Sequence, residues 1–226
     1  MSRTLVVIAL SARAAVAAEP AADQAPPSVQ QVMQVAGLVD VQTISSTIRV
    51  DLKYAGADNF LHANVYGDLE GCYLQPDVAK KLSIAQKILR RSKPGWSLLT
   101  YDCARPARIQ RKMWELVKNT DKAEYVVSPD KGSNHNFGAA VDLTLADESG
   151  RPLDMGTPFD FFGELAQPRL EDDLRKAGKL TGTQVANRRI LRDLMRAAGF
   201  RGIPNEWWHF DSAKHDDITA AYHIIE

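Results

Sequence analysis

The chain has 226 residues, enough for one domain with a substantial core or at most two small ones. Lys plus Arg equals Asp plus Glu, 28 of each, and a formally neutral chain argues against a nucleic-acid partner, which demands a basic stripe. No apolar run reaches the roughly 18 residues needed to cross a bilayer.

Arg3 precedes a short apolar run from Leu5 to Leu10, and alanine-rich sequence follows to Ala18. A basic start, an apolar middle and small residues near a cut are the parts of a secretory signal. Arg13 interrupts the stretch, and a disordered or misannotated start is the competing reading. Residues 1–18 are thus expected to be a signal peptide. Residues 19–30, rich in Ala and Pro, are expected to be a flexible lead-in, with the folded domain over 31–226. Export would put the chain in the periplasm or outside the cell; the alternative is the cytoplasm.

From Thr47 to Leu52 the residues alternate, with Ile48, Val50 and Leu52 on one side, as in a half-buried strand. Tyr54 to Gly71 reads as a polar loop dotted with aromatics. Pro76 suits a first helical turn, and Val78, Leu82, Ala85 and Leu89 recur at helical spacing until Lys93-Pro94-Gly95. Trp96 to Tyr101 reads as a strand. Arg105-Pro106 opens another helix, with Ile109, Met113, Leu116 and Val117 as its buried stripe. A glycine-bearing loop, Lys131 to Gly138, leads into a strand from Ala140 to Leu145. The last clear helix, Thr183 to Ala198, buries Ile190, Leu191, Leu194 and Met195 and stops at Gly199. Trp207 to Phe210 reads as a final strand. Strands and helices interleave without the regularity of a doubly wound sheet, so the class is α+β. The expected architecture is a single domain with a small, mainly antiparallel central sheet flanked by helices, its functional site at the sheet edge or cleft.

Cys72 and Cys103 are the only cysteines. Buried as small apolar groups they would be unremarked, and in an oxidising compartment a bridge is open to them. Neither has the CxxC spacing of a zinc or redox site.

Chemistry concentrates in two places. In the strand from Ala140, Val141, Leu143 and Leu145 point to one face and Asp142 and Thr144 to the other. Asp142 stands alone among apolar neighbours, and His135 lies seven residues upstream across a glycine turn. On these two alone, a surface aspartate and an unrelated histidine is the simpler reading. Further on, Glu206-Trp207-Trp208-His209 has a spacing that brings Glu206 and His209 to one side only on a turn, so the segment should enter its strand through a turn near Pro204. Two tryptophans suggest burial, and burying Glu and His together is costly without partners. A structural ion pair would meet that cost. So would a metal: two imidazoles, one carboxylate and a spare glutamate are the parts of a catalytic zinc site with an open position for water.

The whole string, Ser133-x-His135-x-x-Gly138-x-Ala140-x-Asp142 followed by Glu206-x-Trp208-His209, resembles the zinc motif of the D-alanyl-D-alanine dipeptidase family. That family includes the VanX type of vancomycin resistance. Asp51-Leu52-Lys53-Tyr54 with Asp58-Asn59-Phe60, Asp102-x-x-Arg105-Pro106 and Met155-Gly156-Thr157-Pro158-Phe159-Asp160 agree with it, in order, from about Ser45 to Asp211. The resemblance implies one zinc per chain on His135, Asp142 and His209, with Glu206 as general base and acid. It implies Arg105 at the oxyanion, and Ser133 and Asp160 lining the substrate pocket, Asp160 suited to a free ammonium group. The simpler readings are a helix-start arginine paired with Asp102 and a capping Asp160 in a phenylalanine cluster. One departure is Ala104, where the family commonly has an aromatic residue, so the wall beside Arg105 is expected to be more open.

The implied activity is zinc-dependent hydrolysis of D-Ala-D-Ala or a related small D-amino dipeptide. Two alternatives stand beside it: a zinc carboxypeptidase or endopeptidase trimming longer peptidoglycan peptides, and a binding protein in which zinc only stabilises the fold. His62, His215 and His223 read as surface residues.

Overall fold

The computed structural model describes residues 26–226. The expected signal peptide, and residues 19–25 of the expected lead-in, lie outside them. The first helix, α1 (Val29–Val35), opens on a capping box in which Ser28 and Gln31 satisfy each other's backbone N–H groups.

The elements that follow are β1 (Val39–Asp40), α2 (Val41–Ile44), β2 (Arg49–Val50), β3 (Tyr73–Leu74), α3 (Pro76–Ser92), β4 (Ser97–Asp102), α4 (Ala107–Val117), β5 (Ala140–Ala146), α5 (Glu171–Lys176), α6 (Gly182–Ala197), β6 (Arg201–Gly202), β7 (His209–Asp211) and α7 (His215–Ala221). Five strands form one sheet in the order β2-β4-β5-β7-β6. Its pairings are antiparallel except β2 with β4, which is parallel. β1 and β3 make a separate antiparallel pair. The α+β class and the mainly antiparallel sheet are those the sequence leads one to expect.

α3 forms because Pro76 sits in its first turn, where no intrahelical N–H is needed, and because its apolar spacing matches the helical repeat. Val78, Leu82, Ala85 and Leu89 are fully buried, each large aliphatic side chain contributing about 1.5–3 kcal/mol. Gln86, also buried, fastens this helix to the sheet by accepting from Leu98 N at 2.7 Å. α4 departs from its expected stripe. Leu116 is 49% exposed, while Gln110 is buried and bonded to Arg105, so the helix turns a polar side chain toward the site. In α6, Arg188 takes a place in the buried stripe beside Val185, Leu191, Leu194 and Met195, and Ile190 is only half-buried.

β5 is buried along its whole length. Val141, Leu143 and Leu145 pack into the main core, as their alternation predicts. The opposite face is covered too: Asp142 is 4% exposed and Thr144 1%. The sequence pattern alone puts that face away from the core, but the segment holding Phe159, packed with Leu99, Tyr101 and Ala146, lies over the sheet there. Asp142 is therefore a buried carboxylate and requires partners.

Cys72 and Cys103 are joined in a disulfide across 31 residues, with Cα atoms 5.5 Å apart. In the chain-entropy account a loop of that length stabilises the fold by about 3–4 kcal/mol. The bridge ties the segment before β3 to the end of β4, where the site begins.

Candidate metal centre and active site

Strand register assembles the centre. Asp142 in β5 faces His209 in β7 and Asp102 at the end of β4, so three neighbouring strands each bring one ionisable residue to the same level. His135 reaches them from a single 3-10 turn, Asn134–Phe137, capped by the Ser133 hydroxyl. Gly138 ends that turn at φ +65°, and a Cβ there would come within 2.7 Å of Leu38; only glycine suits both demands. The chain then runs directly into β5. This is the glycine turn that the sequence suggests, and it carries His135 back beside Asp142.

The facing atoms are His135 Nε2, His209 Nδ1 and Asp142 Oδ1, at mutual separations of 3.2, 3.0 and 3.4 Å. Three N or O ligands at about 2.0–2.1 Å from one tetrahedral ion stand about 3.3 Å apart. The donor set fits a single metal ion.

The outer nitrogens fix the tautomers. His135 Nδ1 lies 2.7 Å from the Cys103 carbonyl, which can only accept, so Nδ1 carries the hydrogen and Nε2 presents a lone pair. His209 Nε2 likewise donates to Asp211 at 2.9 Å, freeing Nδ1. Burial favours the neutral form of Asp142, yet the two histidines outweigh it and hold its carboxyl well below the usual range. Burial also opposes a charge on His209, and there Asp142 and Asp211 prevail, raising its proton affinity well above that of free imidazole. The local field favours positive charge among these three residues.

Glu206 approaches through bends over Pro204–Asn205 and Trp207–Trp208, and regular pairing starts only at His209. The turn expected near Pro204 is present. Both tryptophans are buried, and Trp207 Nε1 is held by Thr157 Oγ1 at 2.8 Å. Burial is the main cause that pushes the Glu206 carboxyl up. His209 pulls it down, Asp142 adds to the rise, and His135 and Arg105 pull it down less strongly.

Arg105 is buried against Asp102, which accepts from its Nε at 3.1 Å and from its Nη2. Arg105 Nη1 donates to Gln110 at 2.9 Å. Tyr66 donates to the other Asp102 oxygen at 2.5 Å, and Cys103 N donates to it at 2.9 Å. Three of the five guanidinium N–H groups are thus committed, and two remain for a ligand. The helix-start pairing with Asp102 is real and orients the arginine. Ala104 is buried and donates its N–H to Tyr73 O. It is not among the residues that line the cavity; beside Arg105 stands the Tyr54 ring, 5.3 Å away.

His135, Asp142, His209, Glu206, Arg105, Ser133 and Asp160 all line one cavity of about 290 Å³. Asp160 adopts φ +58°, uncommon for a residue with a side chain. Tyr54 donates to its two oxygens at 3.1 and 3.0 Å. Burial raises its carboxyl well above the usual range, Asp142 adds to the rise, and Tyr54 and Arg105 counter it. The segment bearing Asp160 is held at both ends by Arg188, which donates to Met155 O at 2.6 Å and Leu165 O at 2.8 Å.

The sequence profile of the D-ala-D-ala dipeptidase family, peptidase M15, matches residues 34–223. The chain belongs to this family. A D-alanyl-D-alanine dipeptidase of Escherichia coli is 37% identical over 178 residues, covering 77% of this chain and 83% of that protein. One from Enterococcus faecium is 31% identical (77% and 90%), and one from Streptomyces coelicolor 33% identical (75% and 88%). The chain is therefore an enzyme, a peptidase of the M15 type.

The sequence of this peptidase points to the seven cavity residues and to Asp102 beside Arg105, but not to the other groups that hold them. Asp211 is two residues past His209 and Tyr54 closes the Asp51-Leu52-Lys53-Tyr54 motif, yet nothing local marks either as a partner. Arg188 carried one readable signal, a charge at an apolar position of α6. His215 is exposed, as expected, but lines the cavity rim with Nδ1 2.7 Å from Asn134. No helix among the described residues is long and apolar enough to cross a membrane.

Proposed function

We propose that the chain hydrolyses D-Ala-D-Ala, or a closely related small D-amino dipeptide, with one zinc ion held by His135, Asp142 and His209. The observation that carries this reading is the set of three donor atoms 3.0–3.4 Å apart, with Glu206 and Arg105 lining the same cavity. Bound there, zinc would act as a Lewis acid and bring the acidity of a water close to neutrality.

The residues do the rest. Ionised Glu206 takes a proton from water as the oxygen attacks the scissile carbonyl carbon. Negative charge gathers on the carbonyl oxygen, and the two uncommitted N–H groups of Arg105, preorganised by Asp102 and Gln110, are suited to meet it. Glu206 then gives its proton to the amide nitrogen, the C–N bond breaks, and two free amino acids leave. Ser133, whose hydroxyl caps the turn bearing His135, also lines the substrate side of the cavity.

Asp160 supplies the requirement for a short substrate. A carboxyl buried enough to resist ionisation is a strong partner for an ammonium group, because the arriving charge restores what burial withholds. A free dipeptide is therefore expected to be cleaved well and its N-acetylated form poorly. In Asp160→Asn the KM for the free dipeptide should rise while the melting temperature at neutral pH also rises. The sign follows from the raised value: above the ordinary aspartate range the unfolded chain ionises freely and the fold does not, which favours unfolding, and the amide removes that difference. Preference for the acetylated peptide would instead support action on longer peptidoglycan peptides.

The Cys72–Cys103 bridge supports a periplasmic or secreted location, since oxidising compartments preserve disulfides.

A further inference from the structure

A second cavity, of about 710 Å³, adjoins the first at the Ile203–Glu206 segment and is lined by Arg169, Arg192, Arg196 and Arg201. Ile203 and Glu206 border both cavities, and Glu206 is the only acidic residue lining this one. The arginines come from four places in the fold: the 3-10 turn Pro168–Leu170, two successive turns of α6, and β6.

Their charges are unevenly compensated. Arg192 is paired on two nitrogens with buried Glu171, at 3.1 and 2.9 Å. Arg196 has only Asp193, at 3.9 Å and with both side chains more than 70% exposed, a pairing of little strength in water. Arg169 donates to Gln167, a neutral partner. Arg201 has no ion pair among the described residues. Three cations therefore converge on one concavity without matching anions. The apolar part of the lining is Pro168, Ile203 and Pro204, which keep exposed surface, with Phe200, Trp207 and Phe210 buried behind them.

Size and charge both separate this groove from the catalytic cavity. It is more than twice as large, and a dipeptide with a single carboxylate would leave most of its cationic rim unanswered. A ligand that matches it carries several anionic groups spaced along a chain with apolar stretches, which suits a carboxylate-bearing peptide. A bare phosphate chain offers no apolar surface to Pro168, Ile203 and Pro204. We propose that this groove binds an acidic peptide bearing two or more carboxylates, held by Arg169, Arg196 and Arg201 beside the apolar surface of Pro168, Ile203 and Pro204. The site does not depend on which reaction the neighbouring centre performs.

The test is calorimetric titration of the zinc-loaded protein with N-acetylated tri-L-glutamate, with N-acetylated tri-L-alanine as the neutral control. The acidic peptide should bind, more weakly as salt rises, and the neutral one should not. Arg196→Gln combined with Arg201→Gln should weaken binding about tenfold or more and leave dipeptide turnover unchanged. Arg169→Gln alone, in the 3-10 turn Pro168–Leu170, should weaken it independently. Equal affinity for the two peptides would overturn the proposal, as would undiminished binding by the arginine variants. Inorganic triphosphate is the remaining arm: tight binding of triphosphate with none of the glutamate peptide would also overturn it, in favour of a phosphate site.

Discussion

Glu206→Gln is expected to lower kcat for D-Ala-D-Ala by about 10²–10⁴-fold, with zinc still bound at the level of the unaltered protein. The amide is nearly isosteric with the carboxyl, so the bends that bring Glu206 over the centre should survive, as should the burial of Trp207 and Trp208. What disappears is the capacity to accept a proton. The pH profile adds a sharper test. Burial raises the Glu206 carboxyl, and the active form is the ionised one. In the unaltered enzyme kcat/KM should thus fall as pH drops through a value above the ordinary glutamate range, and the residual activity of the variant should lack that limb. An unchanged kcat in Glu206→Gln would remove the residue from the mechanism.

Arg105→Ala should act on both rate and stability. Loss of a preorganised donor at a developing oxyanion costs about 10²–10³-fold in kcat. Asp102 is fully buried, and without the guanidinium its carboxylate keeps the hydrogen bonds from Tyr66 and Cys103 N, with His135 Nδ1 3.7 Å away. Leaving one member of a buried pair behind costs about 3–5 kcal/mol. The two effects separate in the double variant Arg105→Ala with Asp102→Asn, which removes the stranded charge. Denaturant midpoints should recover much of the loss while kcat stays low. Recovery of both together would reduce Arg105 to a structural role, the simpler reading of a helix-start arginine.

Long elements with a clear period were legible in the sequence. α3 and β5 appear within a residue or two of their expected bounds because apolar spacing reports one buried face directly. β1, β3 and β6 are two residues each, too short for any period to emerge. α1, α2, α5 and α7 are four to seven residues long and went unread for the same reason. Where a second layer lies over the sheet, local pattern misleads: Asp142 and Thr144 read as an outward face until the segment around Phe159 covers them.

At the candidate site the same division holds. Asp142 among the aliphatic residues of its strand and Glu206 and His209 around two tryptophans are conspicuous types to bury, whereas His135, between two asparagines, is marked only by the longer motif. The groups that satisfy them carry no such mark. The Cys103 carbonyl that orients His135 is backbone, and the Tyr54 hydroxyl on Asp160 arrives from 106 residues away. The second cavity depended on tertiary structure altogether, since its arginines are scattered between residues 169 and 201.

Zinc analysis of His135→Ala beside the unaltered protein, after equilibration with a small excess of zinc and removal of the free metal, tests the centre most directly. His135 supplies one donor of three, so the unaltered chain should retain about one zinc and the variant close to none, with dipeptide turnover lost in step. A variant that keeps its full zinc complement and its activity would contradict the assignment of these donors to a single catalytic ion.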